Sequence, residues 1–296
     1  MTDYKSKYLK YKYKYLESKK NNMIGGQNEN SQSITNKYEP NIELLNDHGT
    51  DGSYDRWKKK NNIRSPYCLS FNDNHKLLNY IGVTHTMDEN SPTFKLVRKI
   101  IEEYKPELIM IEGVPISKGI NPVLNNFQGE GEYASRIGKE YGSSFIGIET
   151  DESDLIEKLL KKFSKQNILG YDFLRQHKYY YRTMKVDKIQ LLDDFKEYNI
   201  FGDKTFNPLK WYEKTFGKKF IYGKNLEYAS PYNGKNAVIT QIIGYNHSRN
   251  RDIANIKNLY EQINQFDNIL FIMGENHVYA NKDVLTATFG KPKIIM

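Results

Sequence analysis

Apolar positions along the chain fall into two alternating patterns. "KLLNYIGV", "ELIMIEG", "SSFIGIE" and "NILFIMG" are short, nearly continuous apolar runs. Each is bounded by Gly, Pro or polar residues, which predicts buried strands. Between them the apolar residues recur at helical spacing. "SPTFKLVRKIIEEY" predicts a helix with Ser91 as N-cap and Pro92 in the first turn, ended by Lys105-Pro106. "GEYASRIGKEYG" predicts a short helix stopped at Gly142, and "ESDLIEKLLKKF" another. Towards the end come a long helix in "SRNRDIANIKNLYEQINQF", the strand "NILFIMG", a helix in "VYANKDVLTATFG" and a last strand "KPKIIM". Strands alternating with helices at these lengths predict βαβ units: an α/β fold whose mostly parallel sheet is flanked by helices.

Three segments break this rhythm. Residues 1–22 interleave Lys and Tyr, and Tyr4, Tyr8, Tyr11 and Tyr15 would form an aromatic stripe on a helix. A polar approach follows over 27–65, so the α/β domain is expected over 66–296. Within it, about 170–235 is rich in aromatics, Lys and Gly and reads as a helical insertion or cap.

Charge changes the picture little at first sight. The 296 residues carry a formal +8, of which residues 1–20 supply +5. The remaining +3 is spread over 276 residues, so the basic character is assigned to a tail and not to a groove in the body. That tail fits a helix docking on a protein partner or a sorting signal, with nucleic-acid contact through Lys and stacking Tyr as the alternative. The one cysteine, Cys68, leaves no intramolecular disulfide and is read as structural. No stretch reaches the roughly 18–20 apolar residues of a membrane span. No apolar h-region marks a secretory signal.

The candidate chemistry sits where the predicted strands end. "YIGVTH" delivers His85 and "FIMGENH" delivers His277, each by Gly-x-x-His. "LIMIEG" ends at Glu112 and "FIGIET" at Glu149. The carboxyl ends of parallel strands are where α/β sheets build sites. A buried carboxylate there needs a partner or a metal. Two His and two Glu on one rim have the composition of a metal or acid–base site.

These residues resemble the TraB/GumN/Tiki superfamily, whose fold relatives include erythromycin-esterase and ChaN-like proteins. The likeness rests on "GVTH", "IMIEG", "GIETDESD", "RNRDIA" (Arg249 to Ala254) and "GENH", in the family's order from residue 82 to 277. Ile253 stands where the family has Met, Ser153 and Asp154 where it has Glu-Gln, and Glu275-Asn276 where it has small residues. The resemblance implies a divalent-metal-dependent hydrolase, peptidase-like, with an unassigned peptide or small-molecule substrate. In that reading His85, Glu112 and His277 bind Mn, Co or Zn. Glu149 is general base or a further ligand, and Arg249 stabilises the oxyanion. Three alternatives stay open: a metal-free esterase-like site, a haem- or metal-binding protein without turnover, and an inactive virion or host-interaction protein. Separately, the first 26 residues are similar to the Lys/Tyr helix and Gly-Gly that open many proteins of mimivirus-type giant viruses. This implies a location in the host cytoplasm, at a viral factory, or in the virion.

The other histidines have plainer readings. His48 is expected in solvent, His75 in a turn, and His177 packed on the aromatic helix. His247 is placed near a helix start, close to Arg249.

Overall fold

A computed structural model describes residues 38–47, 52–73, 75–122 and 129–296. The N-terminal Lys/Tyr segment, its linker and His48 lie outside the described residues. The chain forms two compact units, one of Asn36–Lys158 with Asn246–Met296, the other containing Leu159–Tyr245.

The first unit holds six strands: β1 (Tyr67–Asn72), β2 (Leu77–Val83), β3 (Leu108–Pro115), β4 (Ser144–Glu149), β5 (Asn268–Gly274) and β6 (Lys293–Ile295). Its helices are α1 (Ser53–Lys60), α2 (Pro92–Tyr104), α3 (Glu130–Glu140) and α4 (Glu152–Leu160), which runs into the second unit. The second unit contributes α5 (Lys165–Tyr179), α6 (Lys188–Tyr198) and α7 (Pro208–Phe216). Then α8 (Ile239–Ile263) returns the chain and α9 (Glu275–Phe289) precedes β6. No described helix is long and apolar enough to cross a membrane.

The strand order is β4-β3-β5-β2-β1-β6. The four expected strands β4, β3, β5 and β2 are mutually parallel, whereas β1 runs antiparallel to both β2 and β6. The sheet is therefore mixed, and "YCLSFN" is a strand preceding the one expected first. Its Ser70 and Asn72 interrupt an apolar run that only pairing with β2 completes. Cys68 is buried within it.

Period-two alternation sorts the strand side chains into two cores. Leu78, Tyr80, Met110, Phe271 and Met273 share one core with Ile256, Leu259 and Tyr260 of α8 and Val284 and Leu285 of α9. Ile81, Val83, Ile109, Ile111 and Ile272 share the other with Phe94, Val97, Ile100 and Ile101 of α2 and Ile137 of α3. Helices thus cover both faces of the strands that carry the candidate residues. The approach segment contributes to the core through its described residues. Tyr38, Leu45, Tyr54 and Ile63 are buried, each contributing about 1.5–3 kcal/mol.

The second unit is helical over Leu159–Tyr245. Its core joins Phe173, Leu191, Phe195, Trp211, Tyr212 and Phe220. His177 is fully buried in it, and its Nε2 accepts the Gly223 N–H at 2.8 Å. Burial pushes its pKa down to about 4, so packing is its role in the fold.

One irregularity matters for the site. The β3–β4 register runs from Ile111↔Gly147 to Pro115↔Glu149, so Glu112, Gly113 and Val114 face Ile148 alone. Gly113 takes φ +84°, which favours glycine. The bulge turns the β3 chain so that Glu112 leaves the ladder. It fits because β4 has no side chain opposite: a Cβ on Gly147 would lie 2.1 Å from the Val114 carbonyl oxygen. Gly147→Ala is therefore expected to lower the unfolding free energy by about 1–3 kcal/mol in urea titrations. A variant as stable as wild type would show that the bulge needs no such clearance.

Candidate active site

Four neighbouring parallel strands deliver their ends to one edge. β4 ends on Glu149, the β3 bulge presents Glu112, β5 ends at Gly274 ahead of α9, and the chain leaving β2 carries His85. The Gly274 N–H, where the β3–β5 ladder would have continued, donates to Glu112 Oε2 at 2.6 Å. A Cβ on Gly274 would lie 3.2 Å from His85 Nε2, 3.5 Å from Glu112 Oε2 and 3.7 Å from His277 Cδ2. This glycine is where both imidazoles and the carboxylate close on the backbone.

α9 begins at Glu275, so His277 lies in its first turn. That turn is tied to the approach segment: Glu275 accepts from Lys58 Nζ at 3.2 Å and from Ser65 Oγ. Tyr67 OH donates to the Glu275 carbonyl at 3.2 Å. Burial opposes ionisation of Glu275, but hydrogen bonds from Ser65 and Tyr54 and the charge of Lys58 hold its pKa below the usual carboxylate value.

The centre of the cluster is Arg251 of α8. Its Nε donates to Glu149 Oε2 at 2.7 Å, and its Nη2 to Glu149 Oε1 and, at 2.6 Å, to Glu112 Oε1. Its Nη1 lies 3.3 Å from His277 Nε2. A guanidinium can only donate, so His277 Nε2 accepts and its proton sits on Nδ1, directed at Asp252 Oδ1 2.5 Å away. When neutral, His277 is thereby held as the Nδ1–H tautomer. His277 Nε2 is also 3.6 Å from Glu112 Oε1.

His85 forms the open side, with its side chain 63 % exposed. Its Nδ1 bonds Glu130 at the start of α3, and its Nε2 stands 4.0 Å from Glu112 Oε2. The Glu130 hydrogen bond outweighs burial and raises the His85 pKa. Glu112 goes the other way. Burial opposes its charge, but Arg251, His277 and the Gly274 N–H bring its pKa down to about 2. Burial also opposes the Arg251 charge, and Glu149 and Glu112 more than compensate.

Of the residues singled out from sequence, His85, Glu112, Glu149 and His277 are brought together. Arg249 is not: it donates to the Leu45 carbonyl at 3.3 Å and faces Asp47 at 3.5 Å. Two residues along a helix turn the side chain by about 200°, so Arg249 and Arg251 cannot share a face. Sequence reasoning took the first arginine of "RNRD" where α8 presents the second. It also missed Asp252 and Glu130. The acidic partner beside Arg251 was visible in "RNRDIA"; nothing in "GEGEY" marked Glu130. His247 lies well inside α8, which begins at Ile239, and its Nε2 is 3.4 Å from Glu152. His75 stays at an exposed bend, where its N–H bonds Asp73.

The expected metal ligands can be tested against this geometry. His85, Glu112 and His277 have suitable donor chemistry, and each imidazole has its Nδ1 held by a carboxylate. Yet both Glu112 oxygens are engaged, by Arg251 and by the Gly274 N–H, and both Glu149 oxygens are engaged by Arg251. Among the described residues, no group of three or more His, Cys, Asp and Glu is disposed to hold one metal ion. A divalent ion held by Glu112 would have to displace Arg251 from Oε1 or the Gly274 N–H from Oε2.

Removing Arg251 leaves two mostly buried carboxylates facing each other. Arg251→Ala should lower stability at neutral pH by about 3–5 kcal/mol. The lowered Glu112 pKa gives stability that is present above its ordinary value near 4.5 and is lost as pH falls towards 2. The gap between wild type and Arg251→Ala should therefore shrink across that window in urea titrations. A gap of equal size at neutral pH and below pH 2.5 would contradict the central role of this ion pair. No protein-family model, curated protein or solved structure matches the chain.

Proposed function

We propose that this cluster is a hydrolytic site that activates water with His277 and uses Arg251 and His85 in place of a metal ion. The observation that carries the reading is the Asp252–His277–Arg251 alignment. It fixes a proton on Nδ1 and leaves Nε2 as an acceptor, which is a base held in orientation by a carboxylate. An incoming water displaces the Arg251 Nη1–H from the Nε2 lone pair, and His277 then takes the water proton as the oxygen attacks a carbonyl carbon. The charge that develops on the carbonyl oxygen meets Arg251 Nη1, the end of the guanidinium not bound to glutamate, and the His85 Nε2–H. His85, whose raised pKa favours the imidazolium, is then placed to protonate the leaving group. Glu149, expected as the base, has both oxygens on Arg251 and serves to hold it. Glu112, ionised and tied to Gly274, orients the two imidazoles.

The resemblance of "GVTH", "IMIEG" and "GENH" to the TraB/GumN/Tiki and erythromycin-esterase group supports a hydrolase of esters or amides. The substrate itself is open. A divalent-metal-dependent hydrolase is the second reading. It is favoured by the carboxylate at each imidazole Nδ1, a pattern that orients metal-binding histidines, and it requires Arg251 to withdraw from Glu112.

The test is a panel of chromogenic esters and peptide amides, with metal analysis of the purified protein. The expected result is turnover that persists in chelator and falls about 10²–10⁴-fold in His277→Ala. Asp252→Asn should lower kcat with little change in KM. Turnover lost in chelator and restored by Mn, Co or Zn would favour the second reading. Equal turnover by wild type and His277→Ala, or none by either, would remove the hydrolase reading.

A further inference from the structure

The helical unit carries a charge that the whole-chain value conceals. Leu159–Tyr245 holds sixteen Lys and Arg against eight Asp and Glu, a net +8. The α/β unit, Asn36–Lys158 with Asn246–Met296, holds twenty-one against twenty-five, a net −4. A Lys-rich composition applied evenly along the chain would not produce opposite signs in its two units. The assignment of the basic character to the tail alone is therefore incomplete.

The surface is more basic than the count. Asp172 and Asp194 are buried, accepting from the Ile200 N–H at 2.9 Å and Tyr180 OH at 2.8 Å. Fourteen of the sixteen cations are exposed. Some are spent on local pairs: Lys165 with Asp203 at 2.9 Å and Lys204 with Glu197 at 2.8 Å. Others are not. Arg182, Lys185, Lys214, Lys218, Lys219 and Lys224 are exposed, and among the described residues none of them is paired with a carboxylate.

These six lie on two segments that the fold ties together. One segment is the end of α5 with the turn after it, and the other is the last turn of α7 with the loop after it; the Gly223 N–H on His177 Nε2 at 2.8 Å and Lys178 Nζ on Ser230 Oγ at 2.9 Å tie the end of α5 to that loop. Tyr222 OH also donates to the Val186 carbonyl. Aromatic rings stand among the cations. Tyr181, 45 % exposed, packs against Tyr222 with centroids 5.5 Å apart, and Lys218 lies 4.9 Å over the Tyr228 ring.

We propose that this face of the helical unit binds single-stranded nucleic acid. Cations spaced along two adjoining segments suit a phosphate backbone. Exposed tyrosine between them gives the stacking surface that distinguishes a single strand from other polyanions. An acidic protein or an anionic membrane would use the cations and leave the tyrosine without a role. The inference does not depend on the hydrolytic reading.

The test is fluorescence anisotropy of the full chain with a labelled single-stranded oligonucleotide of roughly 20 residues, between about 50 and 200 mM salt. About four phosphate contacts predict a log–log salt slope near −3. Lys214→Gln, Lys218→Gln, Lys219→Gln and Lys224→Gln together should weaken binding at least about tenfold and flatten the slope. The pair Arg182→Gln and Lys185→Gln does the same more weakly, should the quadruple variant misfold. Tyr181→Ala should cost about tenfold with the slope unchanged. Because the N-terminal segment has its own Lys and Tyr, a variant with Lys5, Lys7, Lys10 and Lys12 replaced by Gln must keep the patch-dependent part. The proposal is overturned if the patch variants behave as wild type, including when neither binds. It is also overturned if the tail variant alone abolishes binding, if duplex binds more tightly than single strand, or if only phosphatidylserine vesicles are bound.

Discussion

The guanidinium of Arg251 between Glu112 and Glu149 is the interaction on which the candidate site depends. Two carboxylates at neighbouring strand ends, 12–15 % exposed, would repel each other and resist ionisation. With Arg251 between them both find a cation, and Glu112 drops well below the ordinary carboxylate range. The same guanidinium sets the neighbouring imidazole, because a group that can only donate obliges His277 Nε2 to accept. Charge balance and tautomer thus follow from one side chain on α8.

The sheet makes that meeting possible. β4, β3, β5 and β2 run side by side, so residues far apart in sequence leave along one edge. Two backbone devices then aim them. The bulge at Glu112–Val114 frees Glu112 from the ladder, with Gly147 opposite giving it room. Gly274 lets β5 pass directly into α9 with no side chain between His85 and Glu112. The approach segment adds a brace, because Lys58 and Ser65 hold Glu275 two residues before His277. A stretch that looks merely polar in sequence therefore helps to fix the helix turn that presents the imidazole.

The two units differ in how they place their charges. The α/β unit concentrates buried, mutually satisfied charges at one sheet edge, the arrangement on which the hydrolytic reading rests. The helical unit sets six cations that meet no carboxylate among the described residues, with tyrosine beside them, on its surface, the arrangement on which the nucleic-acid proposal rests. Averaging the two charges over one chain hides both.

The sequence by itself determined the alternation of strands and helices, the helical middle and the strand-end positions of His85, Glu112, Glu149 and the Gly-x-x-His leading to His277. Local periodicity and turn chemistry encode these features, and each is decided within a dozen residues. Strand order, the antiparallel β1 and the bulge in β3 were not legible, because pairing partners lie far along the chain. Nor was the choice of Arg251 over Arg249. Both sit in one short motif, and only the rotation of α8 against the sheet edge decides which of two faces meets Glu112 and Glu149. Asp252 and Glu130 belong with these: a hydrogen-bond partner supplied by another element has no local signature, since its role is created only when the two elements pack.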